Sequence, residues 1–149
     1  MLTSWRDLGP ILTSDPSKNY NAIDPDVFFD GRRWWIAFGS FWDGLKMQRL
    51  ADMTRPYGPI VSLARHPDNP PNPIENPQLF HHGRHWYLLA SWDFCCQGVN
   101  STYKTIVGRS TRPDGRTPTR CSRPAAAAAS SSGCPKGPGS DGGALMGAR

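Results

Sequence analysis

The chain has 149 residues, 38% hydrophobic and 11% aromatic, with 15 Gly, 15 Pro and 4 Cys, and 17 basic against 12 acidic residues. That length allows one ordinary domain and excludes a large multidomain enzyme. No apolar run approaches the ~18 residues of a membrane helix, and Met1 to Arg6 lead into Asp7 without the apolar stretch of a signal peptide, so neither a membrane partner nor an address is expected.

The net charge of +5 is unevenly placed. Residues 116–149 hold none of the 16 aromatics but 7 Ala, 6 Gly, 5 Ser and 4 Pro, with five basic residues against one acid. A nucleic-acid site clusters Lys and Arg with stacking aromatics on a folded face, so nucleic acid is discarded as a partner. Ala125 to Ala129 are too few to nucleate a helix in water, and nothing around them has a burying periodicity. Residues 1–115 therefore read as the folded part and 116–149 as a disordered, low-complexity tail. Its composition resembles GC-rich DNA translated out of frame, with a genuine flexible extension as the alternative.

In chain order, Trp5 to Leu12 reads as the last strand of a unit that begins earlier. Val27-Phe28-Phe29, the turn Asp30-Gly31-Arg32 and Trp34 to Phe38 then form a hairpin signal. The pattern returns as Gln78-Leu79-Phe80, the turn His81 to Arg84, and Trp86 to Ala90. Gly31-Arg32-Arg33-Trp34-Trp35 matches Gly83-Arg84-His85-Trp86-Tyr87 at an offset of 52. Val107-Gly108-Arg109-Ser110 reads as an outer strand. A period near fifty residues built of short antiparallel strands is the pattern of a β-propeller blade. The expected fold is all-β, a partial propeller of about two blades with almost no helix. Two blades cannot close a ring, so an interior piece of a larger propeller is expected.

Two acids stand at the start of the repeats. Asp24 lies in Asn21-Ala22-Ile23-Asp24-Pro25, and Glu75 in Ile74-Glu75-Asn76-Pro77, 51 residues on. The first strand of each blade lines the central channel, so acids at those positions are expected to converge on one cavity. Paired carboxyls in a cleft suit glycoside hydrolysis, where one donates a proton to the leaving oxygen and another activates water or attacks carbon. The plainer alternative is that each acid caps a turn beside its proline. Ser40-Phe41-Trp42-Asp43-Gly44 and Ser91-Trp92-Asp93-Phe94 follow strands and precede loops, where rings suited to stacking on sugars compete with blade-to-blade packing.

Together Asn21 to Pro25, Phe38 to Gly44, Ile74-Glu75, Cys95-Cys96-Gln97-Gly98-Val99-Asn100-Ser101-Thr102-Tyr103 and Val107 to Ser110 resemble the endo-1,5-α-L-arabinanases of glycoside hydrolase family 43, over about residues 5–112. The resemblance implies a five-bladed propeller, secretion, and inverting hydrolysis of internal α-1,5 links of arabinan by three channel carboxyls. It implies Glu75 as general acid and Asp24 as the aspartate that tunes and orients it. It places the general base in a blade upstream of Met1, so this chain alone is expected to be inactive. Asn21, Ser40, Phe41, Trp42 and Trp92 are the expected sugar-contacting residues. A non-catalytic carbohydrate-binding piece and a non-functional truncated product are the other readings.

No metal or cofactor is expected. His81 and His85 sit in a hairpin turn, where a four-residue spacing does not converge two rings, and His66 in its proline-rich loop is not required at the cleft. Cys95 and Cys96 are expected as two separate buried thiols, with a bond between them as the alternative.

Overall fold

A computed structural model describes residues 4–116 and the two-residue strand Ala144–Leu145. The rest of the expected low-complexity tail lies outside the described residues. Among the described residues, eight strands and one short 3-10 turn, Gly98–Asn100, make up the regular structure.

Strands β1 (Asp26–Phe29), β2 (Trp34–Phe38), β3 (Leu45–Asp52) and β4 (Arg55–Arg65) pair in order as an antiparallel sheet. Strands β5 (Ile74–His82), β6 (His85–Trp92) and β7 (Lys104–Ser110) form a second one. Strand β8 (Ala144–Leu145) pairs parallel with Ala64 and Arg65 of β4.

Both predicted hairpins form. Phe29 and Trp34 close the first, where the Asp30 carboxylate accepts from the N–H groups of Arg32 (2.8 Å) and Arg33 (2.7 Å) and from Trp35 Nε1 (2.7 Å). His82 faces His85 in the second, across Gly83-Arg84, so both strands run further into the turn than expected. His81 and His82 are exposed there.

The β3–β4 hairpin carries no glycine at its turn. Asp52 supplies the closure, accepting from Thr54 N–H (2.9 Å) and Oγ1 (2.8 Å). Pro56, Gly58 and Pro59 interrupt the ladder with bulges, because proline has no N–H to give it.

The first sheet is buried on both faces. Trp35 and Ala37 of β2 point to one side with Leu45 and Met47 of β3, while Ile36 and Phe38 point to the other with Leu50, as period-two alternation requires. The first side meets Ile74, Leu79, Trp86, Ala90 and Trp92 of the second sheet, with Phe28 packed on Trp86 at 5.4 Å between ring centroids. Asp26 ties the sheets by accepting from Leu79 N–H (2.7 Å) on β5, the edge strand of the second sheet.

The expected strand over Trp5 to Leu12 is not formed. No described strand lies beside it to complete a ladder, and Trp5 is 76% exposed. Ile11 and Leu12 instead cover the outer side of the first sheet with Tyr20, whose ring meets Phe38 edge-on at 5.4 Å.

Candidate active site

Asp24 and Asn76 each precede a proline, and both hold left-handed backbone, at φ 54° and φ 56°. They stand 52 residues apart, which is the offset of the repeat itself. Asp24 is therefore the counterpart of Asn76 rather than of Glu75, and Ile23 is the counterpart of Glu75. The two acids still meet, for a different reason than equivalent placement. Asp24 stands just before β1 and near the start of β5, close enough to the Glu75 charge and the Asn76 N–H for both to act on its carboxyl. Burial, then that charge, hold the Asp24 carboxyl above its ordinary value, against the lowering effect of the Asn76 bond.

Glu75 is fixed at both oxygens. Ser40 Oγ donates to Oε2 at 2.7 Å and Tyr103 Oη donates to Oε1 at 2.6 Å. Ser40 reaches it because a single β-bridge joins Ser40 to Glu75 across the two sheets. Tyr103 reaches it from the residue before β7, over β6, whose Ser91 is the ladder partner of Glu75. Burial and the bond to Glu75 push the Tyr103 phenol above its ordinary value. Tyr103 was quoted in the motif but not assigned to the site; the register of the three strands is the signal that points to it.

Ser40 also lines an open cleft of about 740 Å³, with Asn21, Phe41, Trp42, Pro67, Pro70, Pro71 and Asn72. Four of the five residues expected to contact sugar thus come together. The prolines and Asn72 were not foreseen, although the proline-rich run 67–73 marks a rigid loop. Asn72 binds that loop to the aromatic wall, donating from Nδ2 to the Trp42 carbonyl at 3.1 Å.

The aromatic wall is held in an unusual backbone. Phe41 (φ 54°) and Trp42 (φ 42°) are both left-handed, which costs energy for bulky residues and persists only where the surroundings impose it. Asp43 supplies that constraint. It accepts from Lys46 Nζ at 2.7 Å and is paired with Arg65, while Phe41 N–H donates to the Ile74 carbonyl at 3.0 Å. Lys46 is 1% exposed, and burial lowers its pKa. Trp42 is left 46% exposed, with its face available.

Trp92 does not join this cleft. It is 7% exposed within the core between the sheets, and the His66 ring stacks on it at 3.8 Å. A large ring at the end of a central strand gains more from burial than from the cleft. His66 in turn places Nε2 3.0 Å from Asp93 Oδ1. Lys104, His66 and Asn69 hold the Asp93 carboxyl below its ordinary value, the Lys104 bond most strongly. Cys95 and Cys96 are joined in a disulfide, not separate thiols, and neither is buried. Among the described residues, no group of three or more His, Cys, Asp or Glu converges as a metal site.

The Glycosyl hydrolases family 43 profile matches residues 2–141. The extracellular endo-α-(1→5)-L-arabinanase 1 of Bacillus subtilis is 46% identical over 108 residues, covering 71% of this chain and 33% of that protein. The extracellular exo-α-(1→5)-L-arabinofuranosidase ArbA of Cellvibrio japonicus is 40% identical over 124 residues, covering 74% of this chain and 36% of its own length. Among solved structures, the endo-arabinanase of Bacillus licheniformis superposes with a TM-score of 0.70 at 40% identity, over 75% of this chain and 39% of the other. The chain thus spans about a third of the length of the curated relatives it matches.

Proposed function

The chain belongs to glycosyl hydrolases family 43, and from that premise we propose that it forms the acid side of an inverting site for the α-1,5-L-arabinofuranosidic links of arabinan. Glu75 is the general acid. Asp24 is the neighbouring carboxyl that tunes and orients it. Asn21, Ser40, Phe41 and Trp42 bind sugar. The observation that carries this reading is a glutamate gripped at both oxygens, beside a second carboxyl, at the rim of an aromatic and proline-lined cleft. Endo- and exo-acting relatives both match, and we assign cleavage of internal links because the endo-acting one is the more similar of the two, at 46% identity against 40%.

Inversion needs a carboxylate base roughly 6.5–9.5 Å from the acid, on the opposite side of the sugar, with a water between them. We read none of Asp24, Asp26, Asp43, Asp68 and Asp93 as that base. Asp26 is committed to Leu79, Asp43 to Lys46 and Arg65, and Asp93 to Lys104 and His66, while Asp24 lies beside the acid itself. Asp68, exposed on the proline loop, has neither a hydrogen-bond partner nor a wall to hold it in place. The chain as given is therefore assigned binding without turnover.

Isothermal titration with linear arabino-oligosaccharides, run beside a reducing-sugar assay on arabinan, tests this. Binding that weakens in Trp42→Ala, with no sugar released, is the expected result. Turnover abolished by Glu75→Gln would show a base within this chain, and absence of any binding would remove the carbohydrate reading altogether.

A further inference from the structure

The proline wall of the cleft is placed by side chains, because its backbone has few groups to place it with. Pro67, Pro70, Pro71 and Pro73 have no N–H to give, and the loop 66–73 between β4 and β5 lies outside both ladders. Among these prolines stand three polar residues at a spacing of three, His66, Asn69 and Asn72. All three are tied. His66 Nε2 lies 3.0 Å from Asp93 Oδ1, and Asn69 Nδ2 donates to the same oxygen at 3.2 Å. Asn72 accepts from the His66 N–H at Oδ1 while its Nδ2 donates to the Trp42 carbonyl. Pro67, Pro70 and Pro71, which line the cleft, therefore each have a tied residue beside them.

Two of these ties meet on Asp93, which follows β6 and does not itself line the cleft. Its backbone is left-handed, at φ 68°, and its N–H donates to the Pro73 carbonyl at 2.9 Å. Lys104 occupies its second oxygen. An ionised carboxylate only accepts, so the His66 ring N–H, the Asn69 amide and the Lys104 ammonium all donate to it. With the His66 and Asp93 side chains each 13% exposed, water competes little for these bonds. Trp92, stacked on His66 at 19° between planes, fixes the plane of the imidazole.

We propose that Asp93 is a positioning residue for the cleft, whose carboxylate gathers His66 and Asn69 and so holds Pro67, Pro70 and Pro71 opposite Trp42 for a bound sugar chain. The proposal rests on the reading of this cleft as the sugar site, and deepens it by naming the residue that holds its second wall.

Amide hydrogen exchange in the full chain, followed by NMR at Asn69 and Asn72, reads the loop without any sugar. Asp93→Ala is expected to speed exchange at both by about tenfold while the amides of β2 and β6 keep their rates. Linear arabino-oligosaccharides are expected to bind this variant about three- to tenfold more weakly, because an unfixed wall must be ordered on binding. Asp93→Asn keeps Oδ1 as an acceptor and is expected to retain the parent's exchange and most of its affinity. Exchange that rises equally in β2 and β6 would make Asp93 a support of the whole fold and overturn the proposal. So would a loosened loop that binds as tightly as the parent, or an Asp93→Asn chain as loose as Asp93→Ala.

If Asp93→Ala does not fold, His66→Phe keeps a ring on Trp92 and removes the bond to Asp93. Faster exchange at Asn69 and Asn72 is expected there too, and exchange at the parent's rate contradicts the proposal. The carbohydrate reading fails separately: a parent chain that binds no arabino-oligosaccharide removes that reading, while exchange at Asn69 and Asn72 still decides whether Asp93 holds the wall.

Discussion

Burial and the neighbouring Glu75 charge raise the Asp24 carboxyl, and only the Asn76 N–H opposes them. A carboxyl raised in the folded state favours folding below its unfolded pKa, near 3.9, and loses that contribution as pH rises through the folded value. At neutral pH the ionised Asp24 is therefore a cost to the fold. Asparagine keeps an oxygen for the Asn76 amide and removes the charge. Asp24→Asn should melt a few degrees higher than the parent at pH 7, with the gain gone below about pH 4. Thermal melts at the two pH values read this directly, and a variant less stable at pH 7 would show that Asp24 serves the fold rather than the site.

Single residues were legible where chemistry alone selects them. Glu75 and Asp24 stand out as acids at the start of repeats, and Phe41 and Trp42 as rings followed by Gly44. Their geometry was not legible. The repeat offset of 52 aligns Asp24-Pro25 with Asn76-Pro77, a slip of one residue from the pairing of Asp24 with Glu75, and the shared left-handed backbone bears it out. Trp92 resembles Trp42 in its local sequence, yet one lies in the core and the other at the cleft, because strand period alone does not say which face of a blade meets a neighbour.

Among the elements, the segment Ser40 to Leu45 connects fold to site. Gly44 holds φ 79°, and a Cβ there would lie 2.3 Å from the Ala64 carbonyl oxygen, a backbone atom that cannot swing aside. Gly44→Ala should therefore cost about 2 kcal/mol or more, combining left-handed strain with the clash. Urea denaturation measures the loss. Because the same turn carries Phe41 and Trp42, weaker arabino-oligosaccharide binding should accompany it, and full stability in Gly44→Ala would contradict the packing described here. The two hairpins with Gly at their turns were readable from turn chemistry. The β3–β4 hairpin was not, since Asp52 closes it in place of glycine and prolines interrupt its second strand. Trp5 to Leu12 had strand composition but no partner, and composition cannot supply a ladder.

At the scale of the molecule, two antiparallel sheets pack face to face through Phe28, Met47, Leu79 and Trp86, and the cleft opens at the joint between them. Ser40 and Phe41 come from the first unit and Glu75 and Tyr103 from the second, so neither unit holds the site alone. The repeat made this partial propeller legible, because two copies of one hairpin at a fixed offset predict neighbouring blades. What the repeat could not show is how the joint brings Ser40 and Tyr103 onto one carboxyl, which depends on the bridge between Ser40 and Glu75.

The central claim is that Glu75 donates the proton to the leaving sugar oxygen, and a graft tests it most directly. The segment of this chain that aligns with the Bacillus subtilis arabinanase replaces its counterpart in that enzyme, and arabinan hydrolysis is measured with and without Glu75→Gln. The account predicts that the graft hydrolyses arabinan, and that Glu75→Gln lowers its rate by roughly 10²- to 10⁴-fold while oligosaccharide binding persists. A Glu75→Gln graft that hydrolyses arabinan as fast as the unsubstituted one would contradict it.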